Sequence, residues 1–302
     1  MAERVSTYSQ IITPEDYNRI MNDEHLYIAD SDIIVKQLVD EEIKKNGAKE
    51  IVEIGCGPGR LLIKIAKIKG INLTAIDHDP AFINHCKNII NNKQVNLILA
   101  DITNYKHANK VDVFYSQGVH HHISKNEDLQ KYLKNVYDNL KINGVYIVSD
   151  EFLAEYKNEK QRKIKAILWY SHIIGNAQKS GFNYLAQEEA KTLIDDLDEE
   201  KNNKNIKTRE QIDLVLNYAP KISTINFENV EVIAKEFLSK LNIRLNVKKH
   251  GDPTLDLSRV DYKICDSVFR KDVESFGFKI EKLKTLGPVT NLGGFGIYLL
   301  RK

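Results

Sequence analysis

The stretch Ile51-Val52-Glu53-Ile54-Gly55-Cys56-Gly57-Pro58-Gly59-Arg60 constrains this chain more than any other. An apolar run ends in three glycines at alternate positions and then opens into an amphipathic segment, an order that predicts a strand, a tight turn and a helix. Glycine reaches backbone conformations closed to other residues and lets the main chain approach a ligand at the C-terminal edge of a parallel sheet. A dinucleotide-binding turn needs its third glycine three residues after the second, to pack the helix and seat a pyrophosphate at its N-terminus. Arg60 occupies that position here. The pattern is therefore Gly-x-Gly-x-Gly, preceded by the acidic Glu53.

The segments that follow keep the alternation. Arg60 to Lys69 places Leu61, Leu62, Ile65, Ala66 and Ile68 at helical spacing and stops on Gly70. Residues 71–76 read as a second strand that ends in Asp77, and Asp79 is placed to cap a helix beginning near Pro80. A carboxylate at the end of a second strand can accept from both hydroxyls of a ribose diol. Residues 95–100 form a third strand ending at Asp101-Ile102, and residues 111–116 a fourth that runs into Gln117-Gly118-Val119-His120-His121-His122. Ser124 to Glu127 has capping-box spacing, and Leu129, Leu133, Val136 and Leu140 give the next helix one apolar stripe. Asn143-Gly144 breaks that helix before a fifth strand, 145–148, with Asp150-Glu151 at its exit.

In the glycine loop and Glu53 the chain resembles motif I of the class I S-adenosylmethionine-dependent methyltransferases, and Asp101-Ile102 resembles that family's adenine-binding corner. The paired histidines after the fourth strand are similar to those of the ubiquinone and menaquinone methyltransferase-like branch. The resemblance implies S-adenosylmethionine as cofactor, held by Glu53, Gly55, Cys56, Gly57, Gly59, Asp77, His78, Asp101, Ile102 and Gln117. It also implies an α/β fold: a doubly wound, Rossmann-like sheet of seven strands, six parallel and one antiparallel, closed by a C-terminal β-hairpin. Residues 278–283 and 296–300 supply the hairpin's strands, with turn signals at Gly287-Pro288 and Gly293-Gly294.

Methyl transfer from a sulfonium is an in-line displacement, so alignment of acceptor, methyl and sulfur dominates. Where the acceptor must lose a proton, histidine is the natural base near neutral pH, which makes His121 and His122 the catalytic candidates. Asp150 and Glu151 are further candidates, as a base or an anchor for an amine, or else as a helix N-terminus in solvent.

Between the fifth strand and the hairpin lies a long, mainly helical insertion. Lys160 to Ile174 is apolar on more than one side, through Ile164, Ile167, Leu168, Trp169, Ile173 and Ile174, and so should be buried on two faces. Asp195 to Lys207 reads as a solvated loop, Thr208 to Gln211 as a capping box opening a helix through Leu216, and Val230 to Leu241 as another helix. These signals divide the chain into a helical lead-in, 1–47, carrying Tyr8, Tyr17 and Tyr27; a cofactor-binding domain, 48–151 with 263–302; and an insertion, 152–262, forming a lid over the acceptor. Trp169, Tyr170 and His172 are its candidate acceptor contacts.

Charge is nearly balanced, 44 Lys and Arg against 42 Asp and Glu, so no global field favours nucleic acid. No apolar stretch reaches membrane-spanning length, and Met1-Ala2-Glu3-Arg4 lacks the core of a secretory signal, so a soluble, cytoplasmic protein is expected. Cys56, Cys86 and Cys265 are odd in number and far apart, which excludes a disulfide framework and any zinc spacing. Adjacent histidines diverge too much to chelate one ion, and no metal site is expected. The reading is a methyltransferase acting on a small-molecule acceptor. A non-catalytic regulatory protein that binds the same cofactor, or an RNA-modifying enzyme, is the alternative; Arg60 and the Asp101-Ile102 corner argue against a nicotinamide dehydrogenase.

Overall fold

The strands in chain order are β1 (Glu50–Ile54), β2 (Asn72–Asp77), β3 (Val95–Leu99), β4 (Val111–Gln117), β5 (Leu140–Leu153), β6 (Lys279–Leu286) and β7 (Gly293–Arg301). They form one sheet in the order β3-β2-β1-β4-β5-β7-β6. The first five pair in parallel, β7 runs antiparallel to β5, and β6 antiparallel to β7, so β7 alone opposes the others. This is the expected seven-stranded α/β sheet with its terminal hairpin. The computed structural model describes residues 9, 12–90, 95–123, 126–197, 209–222, 230–241, 262–287 and 292–302. Tyr8, the Ser124-Lys125 start of one capping box, Thr208 of the other, Pro288 and residues 198–207 of the charged run lie outside the described residues.

The helices are α1 (Pro14–Arg19), continued by a wider π-helical turn at Ile20–Glu24, then α2 (Ile28–Asn46), α3 (Leu62–Ile65), α4 (Pro80–Ile89), α5 (Asn126–Asn139), α6 (Glu159–Lys179), α7 (Asn183–Leu197), α8 (Arg209–Ile222), α9 (Val230–Lys240) and α10 (Asp266–Ser275). Alternate strand residues point to opposite faces. Ile51, Leu73, Val113 and Ile147 meet Val35, Val39, Leu62 and Ile83 of α2, α3 and α4 on one side. Val52, Phe114, Tyr146 and Val148 meet Leu133, Val136, Phe269 and Val273 of α5 and α10 on the other. Helices thus cover both faces, as parallel neighbours joined by crossovers require.

Three elements depart from expectation. The helix after the glycine loop is one turn, because i→i−3 bonds from Lys64 N to Leu61 O and from Ile68 N to Ile65 O interrupt the α-helical ladder at both ends. Asn143-Gly144 lies within β5, where the register jumps from Leu140 opposite Val111 to Val145 opposite Val113, and Asn143 takes φ 64°. The third departure matters for chemistry. β5 does not stop at Val148 but pairs with β7 as far as Leu153 opposite Gly293. Asp150 and Glu151 are therefore buried strand residues, and their reading as a solvated helix N-terminus is corrected: β7 supplies the ladder that prolongs the strand.

The insertion builds a core of its own. Trp169, Tyr170 and Ile173 of α6 are fully buried against Leu193 of α7, Ala219 of α8 and Phe237 of α9, and Ile20 and Leu153 join the cluster from outside. The two-sided burial expected around Trp169 is present. At the end of α7, Asp196 corrects the solvated-loop reading of its segment: it is buried and bonds Arg162 of α6 at 2.7 Å. A buried guanidinium needs such partners, and Glu159 and the ring of Tyr262, 4.0 Å away, complete its surroundings.

Candidate active site

The glycine loop leaves β1 with Gly55, Gly57 and Gly59 at φ 65°, 51° and 84°. Two of these glycines differ in what surrounds them. A Cβ on Gly55 would fall 2.5 Å from Val119, so that position is fixed by packing. A Cβ on Gly57 would meet nothing nearer than Phe82 at 4.0 Å, so that glycine opens toward free space, as a cradle for a ligand does. Beside it Asp77, at the end of β2, accepts from Gly57 N–H at 2.7 Å and from Asp79 N–H at 2.8 Å. Each oxygen keeps acceptor capacity beyond that one bond. Burial raises the Asp77 carboxyl above its ordinary range, partly offset by those two amides. Asp79, as expected, caps α4 by accepting from Ala81 and Phe82.

The remaining cofactor candidates divide between edge and interior. His78 is exposed beside Asp77. Asp101 accepts from Thr103 N and Oγ1 at 2.9 and 2.8 Å, and Ile102 packs partly buried beside it. Glu53 is buried and accepts from Tyr115 OH at 2.9 Å, and burial pushes its carboxyl well above the usual range. Cys56 is likewise buried, as a small filler should be. Gln117, at the end of β4, hydrogen-bonds Arg60 and Ser31 through its two amide ends. Arg60 also pairs with Asp32, which receives Lys64 Nζ at 2.6 Å. This knot ties the first turn of α2 to the loop. Asp32 and Ser31 carry no motif that would have singled them out.

The other half of the edge is built around β5. Since β4 ends at Gln117 opposite Ser149, Asp150 and Glu151 stand just past the parallel ladder, beside the histidine turn. Asp150 pairs with His121 Nδ1 and accepts from His120 N–H at 2.8 Å. Burial would raise the Asp150 carboxyl, but His121 outweighs it and holds the group below the ordinary carboxylate range. A carboxylate on Nδ1 fixes the ring so that Nε2 is the nitrogen able to take a proton. His121 is buried and His122 exposed, with ring centroids 4.0 Å apart.

Glu151 binds three distant segments at once. Lys263 Nζ lies 2.7 Å from Oε2, Trp169 Nε1 donates to the same oxygen at 3.0 Å, and His25 Nε2 lies 3.2 Å from Oε1. Lys263 and His25 overcome the burial penalty and hold this carboxyl well below its usual range. Around it Tyr27 stacks near Trp169 and His172, with centroids 6.4 and 6.5 Å away, and its hydroxyl meets His172 Nε2 at 3.2 Å. Of the candidate acceptor contacts, Trp169 and Tyr170 are fully buried and His172 half-buried. His25 and Lys263 were missed, because a lone histidine and a lone lysine far apart in the chain give no local signal.

Residues 51–144 match a protein family described as a methyltransferase domain. Over 126 residues the chain is 27% identical to the carboxy-S-adenosyl-L-methionine synthase of Nautilia profundicola, covering 41% of this chain and 52% of that protein. The chain thus spans about half the length of the curated relative it matches. An S-adenosylmethionine-dependent methyltransferase from Clostridium acetobutylicum superposes with a TM-score of 0.52 at 13% identity, over 97% of this chain and 98% of the other. The CurJ carbon methyltransferase gives 0.53 at 11% identity, over 98% of this chain and 61% of the other. The fold is Rossmann-like, as in these neighbours, and the residues matched by the methyltransferase-domain family, 51–144, run from β1 into the early part of β5. Among the described residues no helix is long and apolar enough to cross a membrane.

Proposed function

We propose that this protein is an S-adenosylmethionine-dependent methyltransferase whose acceptor is a small molecule bound between the histidine turn and the helical insertion. The observation that carries the reading is one sheet edge with two adjoining halves: the open Gly57 cradle with Asp77, and the His121–Asp150 pair. The residues fit the cofactor. Asp77 can accept from its ribose hydroxyls, Asp101 and Ile102 can receive its adenine, and Gly57 leaves room for close main-chain approach. Bound there, the cofactor supplies an electrophilic methyl on a sulfonium.

The chain's own residues do the rest. Asp150 orients His121, and His121 takes the proton from an acceptor hydroxyl, amine or acidic carbon as the methyl arrives. The insertion, 152–262, walls the acceptor through the half-buried His172, with Trp169 packed behind it, and keeps water out, while 48–151 with 263–302 holds the cofactor. Alignment of this kind supplies roughly 7–11 kcal/mol of barrier reduction. Within the class, the paired histidines favour the ubiquinone and menaquinone methyltransferase-like branch. The test is calorimetry with S-adenosylhomocysteine and NAD, followed by a screen of small-molecule pools for acceptor-dependent formation of S-adenosylhomocysteine. Binding of S-adenosylhomocysteine but not NAD, with turnover on a small acceptor, is expected. Tight NAD binding, or cofactor binding with turnover only on RNA or on nothing, overturns it.

A further inference from the structure

Ser9 and residues 14–18 lie against the cofactor loop and α4 through several contacts. Asn18 Nδ2 donates to Pro58 O at 3.1 Å, inside the glycine loop. Ser9 bonds Asp79 through N at 3.0 Å and Oγ at 2.8 Å, the Tyr17 ring lies 5.5 Å from Phe82, and Glu15 lies 3.1 Å from His85 of α4. The segment ends in two unusual features: the π-helical turn at Ile20–Glu24, and Tyr27 at φ 70°. A bulky residue at positive φ persists only where its surroundings over-determine it.

Between those features sits His25, which is 7% exposed. Its Nδ1 faces Leu26 O at 2.8 Å and its Nε2 faces Glu151 Oε1 at 3.2 Å and Glu189 Oε1 at 3.7 Å. A carbonyl and a carboxylate only accept, so this setting is satisfied when both ring nitrogens donate, which favours the imidazolium form. We propose that His25 is a positioning residue, a latch whose ion pair with Glu151 holds residues 14–27 over the cofactor loop and couples closure of the cofactor side to the acceptor wall. The coupling runs through Glu151, which the latch shares with Trp169 of α6 and with Lys263. This inference rests on the proposed methyltransferase reading.

The pH dependence has a definite sign. Burial alone would lower the His25 pKa, but the hydrogen bond and charge of Glu151, then Glu189, then Leu26 O outweigh it, and the value is raised above the ordinary 6.5. A group raised on folding contributes stability that is complete below its unfolded value and is lost as pH rises through the folded one. The latch should therefore hold fully below about pH 6.5 and release as pH rises through the raised folded value. The charged groups facing His25 are Glu151 of β5, itself tied to Lys263, and Glu189 of α7; the His121–Asp150 pair lies next along the edge. His85 of α4 is a second histidine in contact with the same segment, through Glu15.

The test compares wild type, His25→Gln and the control His85→Gln, each first shown to be folded by circular dichroism. Affinity for S-adenosylhomocysteine is measured from pH 6 to pH 9, together with amide hydrogen exchange across residues 14–27 without ligand. At pH 6 His25→Gln should bind about 10-fold more weakly than wild type, the scale of one charge-assisted hydrogen bond. Its exchange should be faster and its affinity flat with pH, whereas wild type and His85→Gln should lose affinity and protection on the alkaline side. Wild type whose affinity and exchange protection, corrected for the intrinsic rate, do not change with pH overturns the latch, as does His25→Gln that follows the wild-type curves. If His25→Gln does not fold, the wild-type and His85→Gln series decide. Absence of S-adenosylhomocysteine binding at every pH strikes the methyltransferase reading instead.

Discussion

The two halves of the sheet edge are held by different forces. The cofactor half is a main-chain device: glycines at positive φ, the N–H groups of Gly57 and Asp79 on Asp77, and a helix capped by Asp79, all within a short stretch of chain. The half proposed for the acceptor is a side-chain device, in which Glu151 draws together His25, Trp169 and Lys263 from three distant segments. Main-chain devices follow from local sequence and tolerate change at their rim. Buried ion pairs fail as a unit, because removing one partner strands the others in a low dielectric.

The comparison can be broken most directly at the histidine turn. His121→Ala should lower turnover by about 10²- to 10⁴-fold while leaving S-adenosylhomocysteine affinity near wild type, read by steady-state kinetics beside calorimetry. A loss of cofactor affinity in step with turnover would mean that the two halves are one site. Turnover within a few-fold of wild type for both His121→Ala and His122→Ala would return the turn to a packing role.

Next in size is Glu151→Ala. Stranding Lys263 and His25 should cost about 3–5 kcal/mol of stability, measured by urea denaturation with S-adenosylhomocysteine absent. A loss below about 1 kcal/mol, the scale of an exposed pair, would show that water reaches this cluster.

Asp77→Ala tests the opposite half. If Asp77 accepts from cofactor hydroxyls as proposed, its removal should weaken cofactor binding about 10- to 150-fold while turnover at saturating cofactor changes less. The smallest expected effect is at Asp79. Losing the α4 cap in Asp79→Ala should cost about 1 kcal/mol in a thermal or urea melt. A much larger loss would mean that the Ser9 contact, and with it the N-terminal segment, contributes more than the cap.

Much of the cofactor half could be read along the chain. The order strand, glycine loop, strand, acidic residue needs only local rules, since a positive φ demands glycine and a parallel neighbour demands a crossover. The helix after the loop came out longer in the sequence than in the structure because its apolar spacing persists where i→i−3 bonds break the helical ladder. Asp150 and Glu151 misled in another way. Their side chains look like surface residues, and only pairing with β7, whose sequence lies far downstream, carries the strand past Val148 and buries them.

What the sequence determined by itself is the alternation of strands and helices, the three-glycine turn, Asp77 at the end of β2, and the two-sided burial of the helix around Trp169. Each rests on periodicity or on a backbone conformation that one residue type can adopt. The tertiary structure decided which charges meet: Asp150 on His121, Glu151 among His25, Trp169 and Lys263, and Arg60 on Asp32 and Gln117. Such pairs carry no spacing rule, because partners far apart in the chain are brought together only when the sheet, the insertion and the N-terminal segment close on one edge and exclude the water that would otherwise solvate them.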